Sequence, residues 1–503
     1  MAKASILRLV ISVVLFQFLP LQSVLSQYEF LENGNPLHRG SDVGFLPDTP
    51  TRKKIDLTGI WTYKVSDGPE GTVHIPCAYD FTGEVTFQRS FEITADDLNK
   101  YQFQLVMLGA NYTSAATVNN DFIANHIGGY TSFVAPITSS VLQAGTQNVI
   151  KIVTDNKLDP TRTIPLRSQV WGWRNYGGIT RDVYILATPK VFISNVVVTP
   201  TLSVDFSVAK IAVSALIDGS LATDDSTVER LQWYVELIDK QTNIPVATSN
   251  TVLATFQNKA WTTGPVELTI NAPRLWSPDK PDMYIVKAHL VNPARGEKLD
   301  EYDVNTGLRK IDFVNGRVIV NGKKTLLKGV IWMEDHKSYG SSLPYEVMEK
   351  DIDMIRSVGA NAIRFGDHPP HPYMLSLCDR YGILALEEIS VKNVPASILS
   401  QEYYVELAGA RMREMITRDR NHPCVFAWGL GDDFDVWSAS SRVYVEQLAK
   451  VAHGLDARPI YYATNSASDL CSDLVDITAV SLNTRDIKEF KNELDDLRIA
   501  SAG

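Results

Sequence analysis

Residues 360–389 read ANAIRFGDHPPHPYMLSLCDRYGILALEEI. The stretch holds one complete strand–helix–strand unit. The apolar run ANAIRFG is a buried strand, YMLSLCDRYG is a helix stopped by Gly382, and ILALEEI is a second buried strand. Strands that are apolar throughout, joined through a helix, lie parallel in a sheet covered on both faces. The same grammar continues on either side. Upstream lie a strand in KTLLKGVI and a helix in YEVMEKDIDMIRSVG; downstream come helix ELAGARMREMITRDR, strand CVFAWGLG, helix SRVYVEQLAKVAHGLD, strands PIYYAT and DITAVSLN, and helix IKEFKNELDDL. Six such strands in a row predict a (β/α)8 TIM barrel over residues 311–503, entered from its N-terminal side. The sequence stops at Gly503, two strands short of closure. An unclosed barrel exposes two strand edges and its apolar interior. The expectation is that the chain is a fragment of a longer protein; closure by a partner chain is the alternative, and an open barrel also favours a homo-oligomer.

Before residue 311 the rhythm is that of a β protein. Residues 27–188 carry short alternating runs such as GTVHIP, VTFQRSFEI, YQFQLVML and NVIKIVTDN, separated by Gly, Asn, Asp and Pro turns. Their length and spacing predict a jelly-roll β-sandwich. Residues 189–310, with ISNVVVTP, AKIAVSALID, LQWYVELID and MYIVKAHLV, suit an immunoglobulin-like β-sandwich. Residues 1–26 have Lys3 and Arg8, an apolar run from Leu9 to Leu19, Pro20, and small residues before a cut after Ser26. That is the pattern of a signal peptide, so the expected location is exported, periplasmic or extracellular, with no membrane association after cleavage.

Lys and Arg number 48 against 58 Asp and Glu, with no basic stripe or tail, so a nucleic-acid partner has no electrostatic support. Cys77, Cys378, Cys424 and Cys471 are far apart and form no CxxC pair; they are read as small core residues, and no metal is expected from them. No cofactor is expected, because no nucleotide-binding glycine loop, Ser/His/Asp set or metal-ligand spacing is present.

In such a barrel the active site lies at the C-terminal ends of the strands. Four successive strands end in carboxylates or imidazoles: Glu334, Asp335 and His336; Asp367, His368 and His371; Glu387 and Glu388; Asp432, Asp433 and Asp435. With Trp332 and Trp428 close in sequence, a carboxylate-lined pocket suits a carbohydrate, whose hydroxyls bond to carboxylates and whose apolar faces stack on indoles.

The order of domains and a series of motifs resemble glycoside hydrolase family 2, the β-galactosidases, β-glucuronidases and β-mannosidases. The motifs are HIPCAYDFTGEVTFQRSFEI, HIGGYTSFVAPIT, RNYGGITRDVYIL, PRLWSPDKPDMY, LLKGVIWMEDH, the stretch quoted at the outset, RDRNHPCVFAWGLGDD and LDARPIYYATN. The resemblance implies retaining hydrolysis of terminal β-linked sugars, which needs two carboxyl groups roughly 5–5.5 Å apart. The family's Trp-Ser-Leu-Gly-Asn-Glu is here Trp428-Gly429-Leu430-Gly431-Asp432-Asp433, which puts Asp433 in the acid/base position and Asp432 where an Asn contacts the sugar. The family's Arg-x-Ser-His-Tyr-Pro is Arg364-Phe365-Gly366-Asp367-His368-Pro369, so its sugar-contacting His aligns with Asp367 or, after a one-residue shift, with His368. Glu334 and Glu388 match family positions, and Asn175, in NYGGI, matches as either a pocket residue or part of a turn that fixes domain packing. The implied substrate-binding set is therefore Asp432, Glu334, Arg364, Asp367, His368, Glu388, Trp428 and Asn175. The family's nucleophile, a Glu ending strand seven, has no counterpart in this chain; Glu489 and Glu493 lie on a charged helix face. Two functions follow: a glycoside hydrolase with a variant acid, or a carbohydrate-binding or structural protein on the same scaffold with its catalysis lost.

Overall fold

The computed structural model of the chain describes residues 28–33, 48–159, 163–165, 174–219, 230–257, 260–314, 317–466 and 469–480. The signal-peptide stretch 1–26 and the helix expected in IKEFKNELDDL, with Glu489 and Glu493, lie outside the described residues. Among the described residues no helix is long and apolar enough to cross a membrane.

The barrel segment forms one parallel sheet of six strands in chain order. They are β1 (Gly329–Trp332), β2 (Ala362–Phe365), β3 (Leu384–Glu388), β4 (Val425–Asp432), β5 (Ile460–Thr464) and β6 (Ile477–Val480). The helices are α1 (Tyr345–Ser357), α2 (Pro372–Tyr381), α3 (Ala396–Leu399), α4 (Glu402–Asp419) and α5 (Ala439–His453). All six expected strands are present. The first is shorter than KTLLKGVI suggests, because Lys323–Thr325 pairs antiparallel with Arg317–Val320 and β1 begins only at Gly329. The one-turn helix α3 has no counterpart in the sequence reading.

Local chemistry explains the alternation. Pro372 opens α2, where a missing N–H costs nothing, and the His371 side chain accepts from Tyr373 N. Gly382 closes the helix at φ 72°, and its N–H bonds to Cys378 O. In α1, Met348, Ile352 and Ile355 share the face that covers the sheet. Every residue of β4 is buried, and one core runs from Trp276 and Trp332 through the sheet to α5.

Residues 53–189 fold into a four-stranded and a six-stranded antiparallel sheet around a separate core that includes Trp61, Phe87, Leu105 and Ile150. Residues 192–306 form a three-stranded and a larger antiparallel sheet around Trp233, Val235, Val286 and Ile211. These two β regions meet the barrel at opposite ends. The second reaches the N-terminal ends of its strands: Arg309 donates to Val425 O at the start of β4 (2.5 Å), and the Trp276 indole donates to Asp379 O (2.8 Å). The first reaches the C-terminal side through Arg181, Asp182 and Tyr130, while its His126 packs on α4 against Arg411 and Glu414.

Candidate active site

The C-terminal ends of β2 to β5 and the loops that follow them bring six titratable side chains together. Arg364, on β2, donates from Nη2 to both oxygens of Glu388 at the end of β3 (2.9 Å each). Asp367 N donates to Glu388 Oε1 (2.8 Å), and Tyr461, on β5, donates its hydroxyl to Oε2 (2.9 Å). Arg364 also lies 3.4 Å from Asp432 Oδ2 at the end of β4. Lys392, from the loop after β3, closes the cluster at 2.7 Å from Asp367 Oδ1 and 3.2 Å from Asp432 Oδ2. Asp433 follows at φ 47°, and Asp367 sits at φ 71°. Asp is among the few non-glycine residues that tolerate the left-handed region, which suits both positions.

The electrostatics follow from burial and neighbours. Burial pushes the Asp367 carboxyl up to about 6 against the opposing pull of Lys392. Burial likewise holds Glu388 above its ordinary value despite Arg364. Burial, then the adjacent Asp432, push Asp433 up, the direction a general acid requires. Among the described residues Asp432 Oδ1 and Asp433 Oδ1 are buried without a hydrogen-bond partner, so each is an acceptor held ready for a donor.

Gly429 explains how Tyr461 enters the cluster. A Cβ at residue 429 would meet Glu388 Cβ at 2.3 Å and the Tyr461 ring at 2.8 Å. The phenol occupies the space that a serine would need. Sequence reading missed Tyr461 and Lys392; the glycine in place of the family's serine was the one signal for the former.

After β2 the two candidates for the sugar-contacting position part company. Asp367 stands in the cluster without a register shift. His368 instead stacks on Tyr130 of the first β region (3.8 Å between ring centres, 4° between planes), and burial pulls its imidazole down to about 4. Three further expectations are corrected. Trp428 is fully buried in the core: its indole donates to Asp456 (3.3 Å), in the loop entering β5, and lies under Arg458 (5.4 Å), at the end of the strands away from the cluster. Trp332 likewise turns outward and donates to Asp351 of α1 (2.8 Å). Glu334 has both oxygens taken by Arg181 (3.1 and 2.7 Å), with His371 N also donating (3.2 Å), so it ties the first β region to the barrel. Burial pushes the Glu334 carboxyl up, but Arg181 and the neighbouring histidines hold it below its ordinary value.

Asn175 takes the turn reading: its amide donates to Asn156 O (3.0 Å), and Asn156 donates back to Asn175 O (3.2 Å). The next residue, Tyr176, bonds to Asp335 (2.8 Å), so this loop docks on the barrel. His371 meets Asp182 (3.0 Å), which also accepts from Tyr345 (2.6 Å). Glu387 faces Arg418 (3.4 Å) in a buried group with Asp419.

Two groups of side chains have metal-ligand spacing: Asp367, Glu388 and Asp432, and Asp379, His422 and Cys424, each with ligand atoms within 4.8 Å of one another. In the first, Arg364 and Lys392 already supply positive charge. In the second, Asp379 meets His422 Nδ1 (2.6 Å) and accepts from Cys424 N (2.9 Å). The four cysteines are unpaired and buried.

A parallel βα sheet with paired, buried carboxylates at the C-terminal ends of its strands, preceded by two antiparallel β regions, defines the glycosidase barrel class. The chain belongs to glycoside hydrolase family 2. The model "Glycosyl hydrolases family 2, TIM barrel domain" matches residues 311–498 and "Glycosyl hydrolases family 2" matches 191–309, together more than half of the chain. A β-galactosidase of Thermoanaerobacter pseudethanolicus is 28% identical over 68% of this chain, which spans 43% of that protein's length. A β-glucuronidase of Felis catus is 25% identical over 86% of the chain, which spans 72% of its length. The solved β-D-glucuronidase of Dictyoglomus thermophilum superimposes with a TM-score of 0.76 at 25% identity, covering 90% of this chain and 81% of its own.

Proposed function

We propose that the protein is an exported glycoside hydrolase that releases terminal β-linked sugars with retention of anomeric configuration, with Asp433 as acid/base. The observation that carries the reading is Asp433 itself. It stands at the end of β4 beside Asp432, half-buried, with a carboxyl pushed above its ordinary value and one oxygen without a partner. Such a group keeps its proton nearer neutrality than an exposed aspartate and can deliver it to a glycosidic oxygen. Arg364, Glu388 and Tyr461 form a rigid floor, and Asp432 accepts from a sugar hydroxyl through its unpartnered oxygen. The attacking carboxylate is assigned to no residue of this sequence; the resemblance places it on a seventh strand. The reading includes a jelly-roll form for the first β region and an immunoglobulin-like form for the second. It also takes residues 1–26 as a signal peptide, which N-terminal sequencing of the secreted protein tests.

Family membership and the ordered cluster favour the hydrolase over the sugar-binding alternative. The test is release of nitrophenol from aryl β-galactosides, β-glucuronides and β-mannosides by the natively produced protein, with the product anomer read by proton NMR. Turnover of one of them with retention, lost in Asp433→Ala, supports the reading. Saturable sugar binding without hydrolysis overturns it in favour of the binding protein.

A further inference from the structure

At the opposite end of the barrel, between the strand Phe192–Leu202 and the loops that enter β4 and β5, lies a cleft of about 420 Å³. Three guanidinium groups line it, from Arg309, Arg420 and Arg458, with Lys310 at the edge and one carboxylate, Asp456. Lys310 is paired with Asp312 (3.1 Å). Arg309 spends its donors on Pro423 O and Val425 O (2.5 Å each). Asp456 is shared between the Trp428 indole (3.3 Å), Arg458 N (2.9 Å) and, at 3.7 Å, Arg458 Nε. Arg458 Nη2 donates to Arg420 O (2.5 Å), while its Nη1 is buried without a partner among the described residues. The Arg420 side chain has no hydrogen-bond or ion-pair partner among the described residues, and its Nε is buried.

Three clustered cations with one shared anion are a costly arrangement. Burial, then the neighbouring Arg458, pull the Arg309 guanidinium down to about 9, and burial lowers Arg420 as well. Buried charges are costly unless paired and hydrogen-bonded, and an anion in the cleft would supply that pairing. The guanidinium fork matches two oxygens of a carboxylate, phosphate or sulfate. We propose that this cleft binds a small oxyanion through Arg420 and Arg458, at the seam between the second β region and the N-terminal end of the barrel. The inference is independent of the hydrolase reading, since it concerns the end of the barrel away from the acid cluster.

The test uses the full chain. Inorganic phosphate, sulfate and citrate are each titrated at constant ionic strength against chloride, and Tm and calorimetric binding are followed. A ligand that binds only the folded form raises Tm saturably. The expected result is a saturable rise with at least one oxyanion, and a Kd weakened about tenfold or more in Arg420→Gln, the loss of a charge-assisted pair. Arg420→Lys should recover part of it. A response to phosphate and sulfate alone identifies an inorganic or phosphoryl ligand, and a response to citrate alone an organic acid. No saturable effect from any of the three, or an equal effect in Arg420→Gln, overturns the proposal. Should Arg420→Gln fail to fold, Arg458→Gln makes the same comparison, and wild-type calorimetry reads binding directly.

Discussion

Lys392 Nζ lies 2.7 Å from Asp367 Oδ1, and the same ammonium stands 3.2 Å from Asp432 Oδ2. Asp432 stands where the resemblance puts an Asn, and Asp367 aligns with the family's His in the unshifted register. One lysine, from a loop that contributes nothing legible in isolation, bridges both. The two departures are therefore coupled: either acid alone would leave Lys392 half-satisfied, and both without it would repel each other.

Removing the bridge tests this coupling. Lys392→Met leaves the buried Asp367 without its counter-ion and Asp432 with Arg364 alone (3.4 Å), and breaking a buried pair from one side costs about 3 kcal/mol or more. Urea unfolding at pH 8 should show that loss, and at pH 5 a smaller one, because Asp367, held up to about 6, is then protonated and no longer needs the lysine. An equal loss at both pH values would mean that Lys392 acts through packing alone.

The Asp367 carboxyl provides a second pH signature. Burial holds it up to about 6, above the ordinary carboxylate range. A group whose folded value is raised contributes stability that is full below its unfolded value, near pH 4, and is lost as pH rises through about 6. Asp367→Asn keeps a short polar residue at φ 71° and cannot titrate. The stability difference between wild type and Asp367→Asn should therefore shift in favour of the variant by about 1–3 kcal/mol between pH 4 and pH 7. A flat difference across that window would sink the assignment.

How far the sequence reaches is visible in these residues. The barrel strands are legible because apolar runs, glycine stops and amphipathic helices each report their own local environment. Arg364, Glu388, Asp432 and Asp433 are legible because they follow directly from strand ends. Trp428 and Glu334 mislead for the same reason: position near a strand end does not say which way a side chain turns, and β4 is buried on both faces. The partners that decide those directions, Arg181 and Tyr130 for Glu334 and His368, Asp456 and Arg458 for Trp428, come from another β region or another loop. Only tertiary contact reveals them.

The Gly429 contact makes a packing prediction. Gly429→Ser restores the family residue but drives a Cβ to within 2.3 Å of Glu388 Cβ and 2.8 Å of the Tyr461 ring. Overpacking of this kind costs about 1–3 kcal/mol. The paired change Gly429→Ser with Tyr461→Phe should stay destabilised, since the ring remains; Gly429→Ser with Tyr461→Ala should not recover the loss either, because the Glu388 Cβ contact persists and removal of a fully buried ring costs about 3 kcal/mol or more. Denaturant midpoints of the three variants read this directly, and a neutral Gly429→Ser would show that Tyr461 moves aside freely.

Asp433 sets the last prediction, because its reach and its backbone pull in opposite directions. Extending the side chain by one methylene in Asp433→Glu advances the carboxyl by roughly 1.5 Å, and misplacement of about 1 Å costs on the order of a hundredfold in rate. If Asp433 delivers the proton, Asp433→Glu should raise kcat on a substrate with a poor leaving group by about tenfold or more, with little change on an activated aryl glycoside that needs no acid. At φ 47° the longer residue is less well tolerated than Asp, so the same variant should lose roughly 0.5–1 kcal/mol of stability. Steady-state kinetics on the two substrate types, set beside urea unfolding, separate these effects. A variant that is faster on neither substrate yet equally stable would mean that the proton comes from elsewhere.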